Sequence, residues 1–411
     1  MKAIAALLSF AALVFGCGAA SGAPPTAAAP VRIGLDGEFS IAGSTSAQAI
    51  ELGIRVAIDE INAAGGVLGG RPLELLTKDN RTNPARGIAN LREFAGVPDL
   101  VAVFGGRFSP VVTEVVKPAH ELKMVLLAPW SSASSIINNG YRPNYAFRLA
   151  LHDAIAMPAM IDRVRATGGR KVGLMLANST WGRSNRDAAE RYLAKVPDVK
   201  IVGVEWHNTG ETSLLVPYTR LIDQGAQAIL LVINDVEGAA LVREIAALDS
   251  KRRVPIVAHW GVTGGTFHDS VGADTLAGVD FSVVQTFSLY RADPQKVRKV
   301  MDIARRIAAV SRPEDIKSPV GFGHAYDLTH ILARAIDIAG STDRAKVRDA
   351  LEQVRRYDGL VRRFDRPFAP DRHEALLRSD LFFARFRADG ALVPLEGIGT
   401  RPATPMARAR D

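Results

Sequence analysis

Ile61-Asn62-Ala63-Ala64-Gly65-Gly66-Val67-Leu68-Gly69-Gly70-Arg71-Pro72-Leu73 leads out of an amphipathic helix and into a strand through two glycine pairs. Upstream, Ile50, Ile54, Ala57, Ile58 and Ile61 recur at helical spacing, which gives that helix one apolar face. The glycines mark its exit, since they accept the left-handed backbone that ends a helix. Downstream, Leu73, Leu75 and Thr77 alternate and run into Asp79-Asn80-Arg81-Thr82-Asn83-Pro84-Ala85, a strand followed by the start of another helix.

Outward from this stretch the same alternation continues. Strands are predicted at Val31 to Leu35, Leu73 to Thr77, Leu100 to Phe104 and Met124 to Leu127, with helices at Ser44 to Ala63, Pro84 to Ala95 and Ser109 to Glu121 between them. That is βαβαβαβ, a parallel sheet with helices on both faces. The rhythm restarts at Asp153: a helix to about Ala166, then strands Lys171 to Leu176, Lys200 to Glu205, Ala228 to Ile233 and Pro255 to Ala258. Helices Ser184 to Lys195, one ending at Asp223, and Glu237 to Leu248 separate those strands. Past both halves come a strand at Val279 to Val284 and helices at Pro294 to Ala309, Pro319 to Ala339 and Arg344 to Val354. A hairpin, Leu381 to Arg387 and Ala391 to Leu395 about Asp389-Gly390, closes the chain. The expected fold class is α/β, with two doubly wound parallel-sheet lobes.

Lys2 followed by the apolar run Ala3 to Phe15 reads as an export signal within residues 1–23, since the run is too short for a stable membrane anchor. Residues 24–30 continue an Ala/Pro/Gly-rich tether. Two readings of Cys17, the only cysteine, stand: the acylated first residue of a lipoprotein, with the tether leading to a membrane, or part of a signal removed after Ala20 or Ala23. In either case disulfides and cysteine-based metal sites are excluded. The net charge of +8 comes from Lys and Arg spread among Asp and Glu, with no basic run interleaved with aromatics, which argues for solvated faces and against nucleic acid.

The quoted turn resembles the "INAAGG…G…L" helix exit, and the strand after it the "D…P" ending, of the extracellular solute receptors of ABC importers, in the branch that includes the leucine/isoleucine/valine-binding proteins. Further segments agree in order and spacing across roughly residues 31 to 400. The resemblance implies a type I periplasmic binding protein: two lobes joined by a three-strand hinge, with crossings near residues 152, 285 and 361. Lobe 1 would comprise 31–152 plus 286–361 and lobe 2 153–285 plus 362–411. It also implies a monomer that closes on a small solute and delivers it to a permease.

Chemistry is expected where strand ends meet helix N-termini, because the free N–H groups and the dipole there favour an anionic group. Phe104-Gly105-Gly106-Arg107-Phe108-Ser109-Pro110 is such a turn, with Ser109 placed as N-cap and Pro110 as the first helical residue. The family's carboxylate-binding hydroxyl aligns with Ser109. Ala128-Pro129-Trp130-Ser131-Ser132-Ala133 resembles the family's "SPAAT" turn, which implies ligand contact through the Trp130 carbonyl and through Ser132. The plainer alternative makes both serines helix caps. Asn178 to Ser184 resembles the "YG" loop, with Trp181 as the aromatic over the ligand, and Ile233-Asn234-Asp235 ends a buried strand where the family again contacts ligand.

This sequence departs from the family at His259-Trp260-Gly261-Val262, where aliphatic amino-acid receptors carry a glutamate for the ligand ammonium and Trp260 stands instead. A buried ammonium without a carboxylate is costly. Either Asp235, Glu38 or another acid substitutes, or the ligand is not an ordinary α-amino acid. Trp130, Trp181 and Trp260 together would suit an aromatic or planar ligand, or a cation held on ring faces.

No Gly-x-Ser-x-Gly elbow, Walker loop or His-Glu-x-x-His helix occurs, and Gly321-Phe322-Gly323 lacks a third glycine and a preceding strand, so no dinucleotide or other cofactor is expected. The eight histidines have no metal-ligand spacing. The reading is a non-enzymatic receptor feeding an ABC permease. A sensory module presenting ligand to a receptor kinase and, more remotely, an exported enzyme are the alternatives.

Overall fold

The computed structural model describes residues 28–395 of the chain. The expected signal, Cys17, most of the tether and the last sixteen residues of the second lobe, 396–411, lie outside them.

The first body alternates β1 (Val31–Gly37), α1 (Ser46–Ala63), β2 (Leu73–Asp79), α2 (Pro84–Ala95), β3 (Leu100–Gly105), α3 (Ser109–Glu121), β4 (Val125–Ala128) and β5 (Ala146–Arg148). These strands form one parallel sheet in the order β2-β1-β3-β4-β5. Every residue of β3, β4 and β5 is buried, as expected of strands covered on both faces, which is why they read as unbroken apolar runs. Strand β5 is a finding: three residues are too few to show a period.

The second body follows with α4 (Asp153–Ala166), β6 (Lys171–Ala177), α5 (Thr180–Leu193), β7 (Lys200–His207), α6 (Leu215–Asp223), β8 (Ala228–Val232), α7 (Asp235–Ala246) and β9 (Ile256–Ala258). Two short helices, α8 (Phe267–Val271) and α9 (Ala273–Ala277), lead to β10 (Phe281–Gln285). The chain then runs through α10 (Pro294–Ala308), α11 (Pro319–Ala339) and α12 (Arg344–Leu351); α10 and α11 pack on α1, and α12 packs on α11. A small ribbon, β11 (Tyr357–Asp358) and β12 (Arg363–Phe364), precedes β13 (Phe382–Phe386) and β14 (Leu392–Pro394). The last two are the expected closing hairpin, and they extend the second sheet antiparallel to give the order β14-β13-β10-β9-β8-β6-β7.

The turn that opened the sequence reading is built as its composition requires. Gly65, Gly66, Gly69 and Gly70 all have positive φ, and a Cβ on Gly66 would stand 2.2 Å from the Arg71 carbonyl oxygen. Asn62 then fixes the following strand. Its Nδ2 donates to Leu73 O at 3.0 Å and its Oδ1 accepts Leu73 N–H at 2.7 Å, placing Leu73 opposite Val31 in the sheet. Gly321 and Gly323 of α11 serve packing: their absent side chains admit the rings of Trp130 and Phe287, which Cβ atoms would meet at 2.8 and 2.6 Å.

Candidate functional site

Each sheet has one place where adjacent strands send their connections to opposite faces, between β1 and β3 in the first and between β6 and β8 in the second. Open α/β sheets bind ligands at the carboxyl ends of strands beside such points. Here the two points face one another across a cavity of about 60 Å³. The turns after β3 and β4 give Arg107, Phe108, Ser109, Trp130 and Ser132 to its wall, and the turns after β6, β8 and β9 give Asn178, Trp181, Asn234, Trp260 and Gly261.

Local chemistry explains how each side chain is held. Ser109 is the first residue of α3, with Phe108 in the capping position, so the expectation of Ser109 as N-cap is corrected. The reason is that the Ser109 Oγ is occupied elsewhere: it accepts the N–H groups of Ser132 and Ala133, each at 3.2 Å, and so stitches the turn after β4 to the start of α3. With both lone pairs used, its hydroxyl proton is left to donate. Ser131 Oγ donates to Gly106 O at 2.6 Å, and Arg148, fully buried, donates to Ser131 O and Ala133 O at 2.9 and 3.0 Å. Ser132 caps no helix. Its carbonyl receives Asp153 N–H at 3.0 Å, while its hydroxyl forms no hydrogen bond among the described residues.

Trp130, Trp181 and Trp260 all stand in the wall of the cavity. Trp130 and Trp260 pack at 5.7 Å between ring centroids, and Trp181 stands edge-on to His259 at 5.0 Å. Gly261 makes room for Trp181, whose ring a Cβ there would meet at 2.5 Å. The indole N–H groups of Trp130 and Trp181 are buried without a partner among the described residues. The Trp260 carbonyl accepts from Thr263 Oγ1 at 2.7 Å. Behind Trp260, His324 donates its Nδ1–H to Pro129 O (2.8 Å), its Nε2 accepts from Thr286 Oγ1 (2.9 Å), and burial pushes its imidazole down to about 4.

Asp235 does not face the cavity as a free acid, which corrects its candidacy as partner of a ligand ammonium. Its Oδ1 accepts from Arg107 Nη1 at 2.7 Å, an ion pair between the two bodies with both side chains about 4% exposed. Glu38 is also engaged, by the Ser46 hydroxyl and by Arg107 N–H at 3.3 Å. Arg107 itself was missed in the sequence, although it is the one charged residue of its glycine turn. Its Nη1 also donates to Gly261 O at 3.3 Å, and its Nε has no partner among the described residues. Gly264 and Gly265 give the pair its space, since Cβ atoms there would meet Arg107 Nη1 at 1.7 Å and Asp235 Oδ2 at 2.0 Å. The bodies are tied further by Thr45 N–H to Gly264 O (3.0 Å) and Ser318 Oγ to Thr263 O (2.9 Å). Among the described residues no group of three His, Cys, Asp or Glu side chains could hold a metal ion, and no helix is long and apolar enough to cross a membrane.

Comparison with known proteins agrees with this architecture. An amino acid binding protein of Pseudomonas aeruginosa is 24% identical over 333 residues, 79% of this chain and 83% of that protein. The branched-chain amino acid transporter substrate-binding protein of Streptococcus pneumoniae, solved with isoleucine, superposes with a TM-score of 0.72 at 19% identity, covering 89% of this chain and all of that one. An ABC transporter solute-binding protein of R. palustris, solved with 4-hydroxybenzoate, gives a TM-score of 0.73 at 16% identity, covering 89% of this chain and 95% of that one. The family model for periplasmic binding proteins matches residues 30–391, nearly the whole chain, and the protein therefore belongs to the periplasmic binding protein family, with the type I fold.

Proposed function

We propose that the protein is an extracytoplasmic solute receptor of an ABC importer, closing its two lobes around a small polar organic molecule and presenting it to a permease. The lobes in this reading are residues 31–152 plus 286–361 and 153–285 plus 362–411, and the segments between them act as the hinge. One observation carries the proposal: the cavity lies between two facing sheet switch points and draws its wall from both bodies, so its volume depends on their separation. At 60 Å³ it is smaller than the roughly 150 Å³ cavity that accepts benzene, so entry requires the lobes to part. The isoleucine and 4-hydroxybenzoate held by the two solved relatives bracket the size of solute expected.

Thermal-shift screening of the mature protein tests this. A true solute at a hundredfold excess over its Kd stabilises the native state by about 2.7 kcal/mol, which reads as a raised and concentration-dependent Tm. A folded protein that no amino acid, aromatic carboxylate, amide or polyamine stabilises would count against the receptor reading. Permease and ATPase genes beside its own would support uptake, and a histidine kinase gene would favour sensing.

A further inference from the structure

Unpartnered hydrogen-bonding groups in the wall of a cavity indicate the chemistry of the guest it suits. Among the residues that wall this one, three N–H donors are buried without a partner among the described residues: Arg107 Nε, Trp130 Nε1 and Trp181 Nε1. The Ser109 hydroxyl adds a fourth donor, because both of its lone pairs are taken by backbone N–H groups. Among the buried side-chain atoms of the wall no acceptor is unpartnered, the Ser132 hydroxyl can donate or accept, and no Asp or Glu lines the cavity. The two acids closest in role, Asp235 and Glu38, are occupied by Arg107 and Ser46. An unpaired buried donor costs more than a typical hydrogen bond contributes, so a guest that leaves these four groups bare is disfavoured.

Resting on the receptor reading, we propose that the solute is a small planar carboxylate, an aromatic acid without an ammonium group. Its oxygens would take the protons of Ser109, the two indoles and Arg107 Nε. The faces of Trp130, Trp181, Trp260 and Phe108 would pack against its ring. An α-amino acid would bring an ammonium to a wall that contains no carboxylate. A quaternary amine would sit on the ring faces but leave all four donors unpaired. Asp153, whose carboxylate oxygens also lack hydrogen bonds, is fully buried behind Ser132 and 3.2 Å from His259 Nε2, outside the wall.

Titration calorimetry with matched pairs decides the matter: benzoate and 3-phenylpropanoate against phenylalanine, 4-methylpentanoate against leucine, and choline as the cation. The expected result is an aromatic acid binding roughly tenfold or more tighter than its amino-acid partner, and Trp181→Phe weakening that acid by about tenfold at unchanged folding. Amino acids binding as tightly as the acids, or choline binding best, would overturn the proposal. Loss of an amino-acid preference in Asp153→Asn would then identify the carboxylate responsible. If a folded protein binds none of these yet takes another solute, the aromatic-acid inference falls alone; if it binds nothing, the receptor reading falls with it.

Discussion

On one flank of the cleft Arg107 and Asp235 meet at 2.7 Å as an ion pair, while on the other Trp130 and Trp181, both in the cavity wall, have buried N–H groups without a partner among the described residues. Both flanks are buried, and both join the two bodies. The first is held by charges already paired, so it stabilises the closed arrangement whether or not a solute is present. The second is incomplete, so its energy becomes available only when a guest supplies acceptors. Closure thus rests on Arg107 Nη1 and Asp235 and recognition chiefly on the indoles, with Arg107 Nε the one group that serves both, and substitutions at Asp235 and at the tryptophans should separate the two tasks.

The largest separation is expected at the ion pair. Asp235→Ala leaves the Arg107 guanidinium buried with only the Gly261 carbonyl beside it, and breaking a buried pair on one side costs about 3–5 kcal/mol. Denaturant unfolding should show that loss, and small-angle scattering should show a larger radius of gyration as the lobes separate. The double variant Arg107→Met/Asp235→Leu should recover most of the stability, since no charge is then left behind. A loss below about 1 kcal/mol in Asp235→Ala would erase the contrast between the flanks.

A smaller effect, confined to one pH range, belongs to His324 beside Trp260. Burial lowers its imidazole from the ordinary 6.5 to about 4, so between those values the unfolded chain binds a proton that the native one refuses. Its contribution is complete above pH 6.5 and is lost as pH falls towards 4, to a limit of about 3 kcal/mol. Asp36 runs the other way: burial raises it from 3.8 to about 6, so its contribution is complete below 3.8 and is lost as pH rises through 6. The two oppose each other over the same range, so the test is a difference. Between pH 7 and 4 the wild type should lose about 3 kcal/mol more than His324→Gln, and equal losses would mean that the ring is hydrated in the native state.

What the sequence made legible follows from what is local. The apolar runs of β3 and β8 announced strands buried on both faces, and the glycine pairs after α1 announced where that helix must stop. The turns Phe104 to Pro110 and Ile233 to Asp235 could be picked out because each carries strand end, turn and helix start in a few residues. The ion pair was illegible because Arg107 and Asp235 stand 128 residues apart, and only the approach of the two bodies brings them together. The same distance hid the purpose of Gly264 and Gly265, which look like ordinary loop glycines until a partner from the other body passes over them. Ser109 was recognised as a polar group at a helix start, yet its bonds go to a neighbouring turn rather than to its own helix, a choice that capping statistics cannot show.

That last point makes the two serines, alike in sequence, the finest probe of the contrast between closure and recognition. Ser109→Ala removes the acceptor of two backbone N–H groups in a buried turn, so stability should fall by about 1–3 kcal/mol, with affinity falling alongside. Ser132→Ala removes a hydroxyl that no described residue uses, so stability should stay within about 0.5 kcal/mol of wild type. Its affinity should still drop by about 0.5–1.5 kcal/mol if the hydroxyl bonds the solute. Denaturant unfolding paired with calorimetry on each variant measures both quantities. Ser132→Ala losing stability but no affinity would move that hydroxyl from recognition to the scaffold, leaving recognition to the indoles, Arg107 Nε and Ser109.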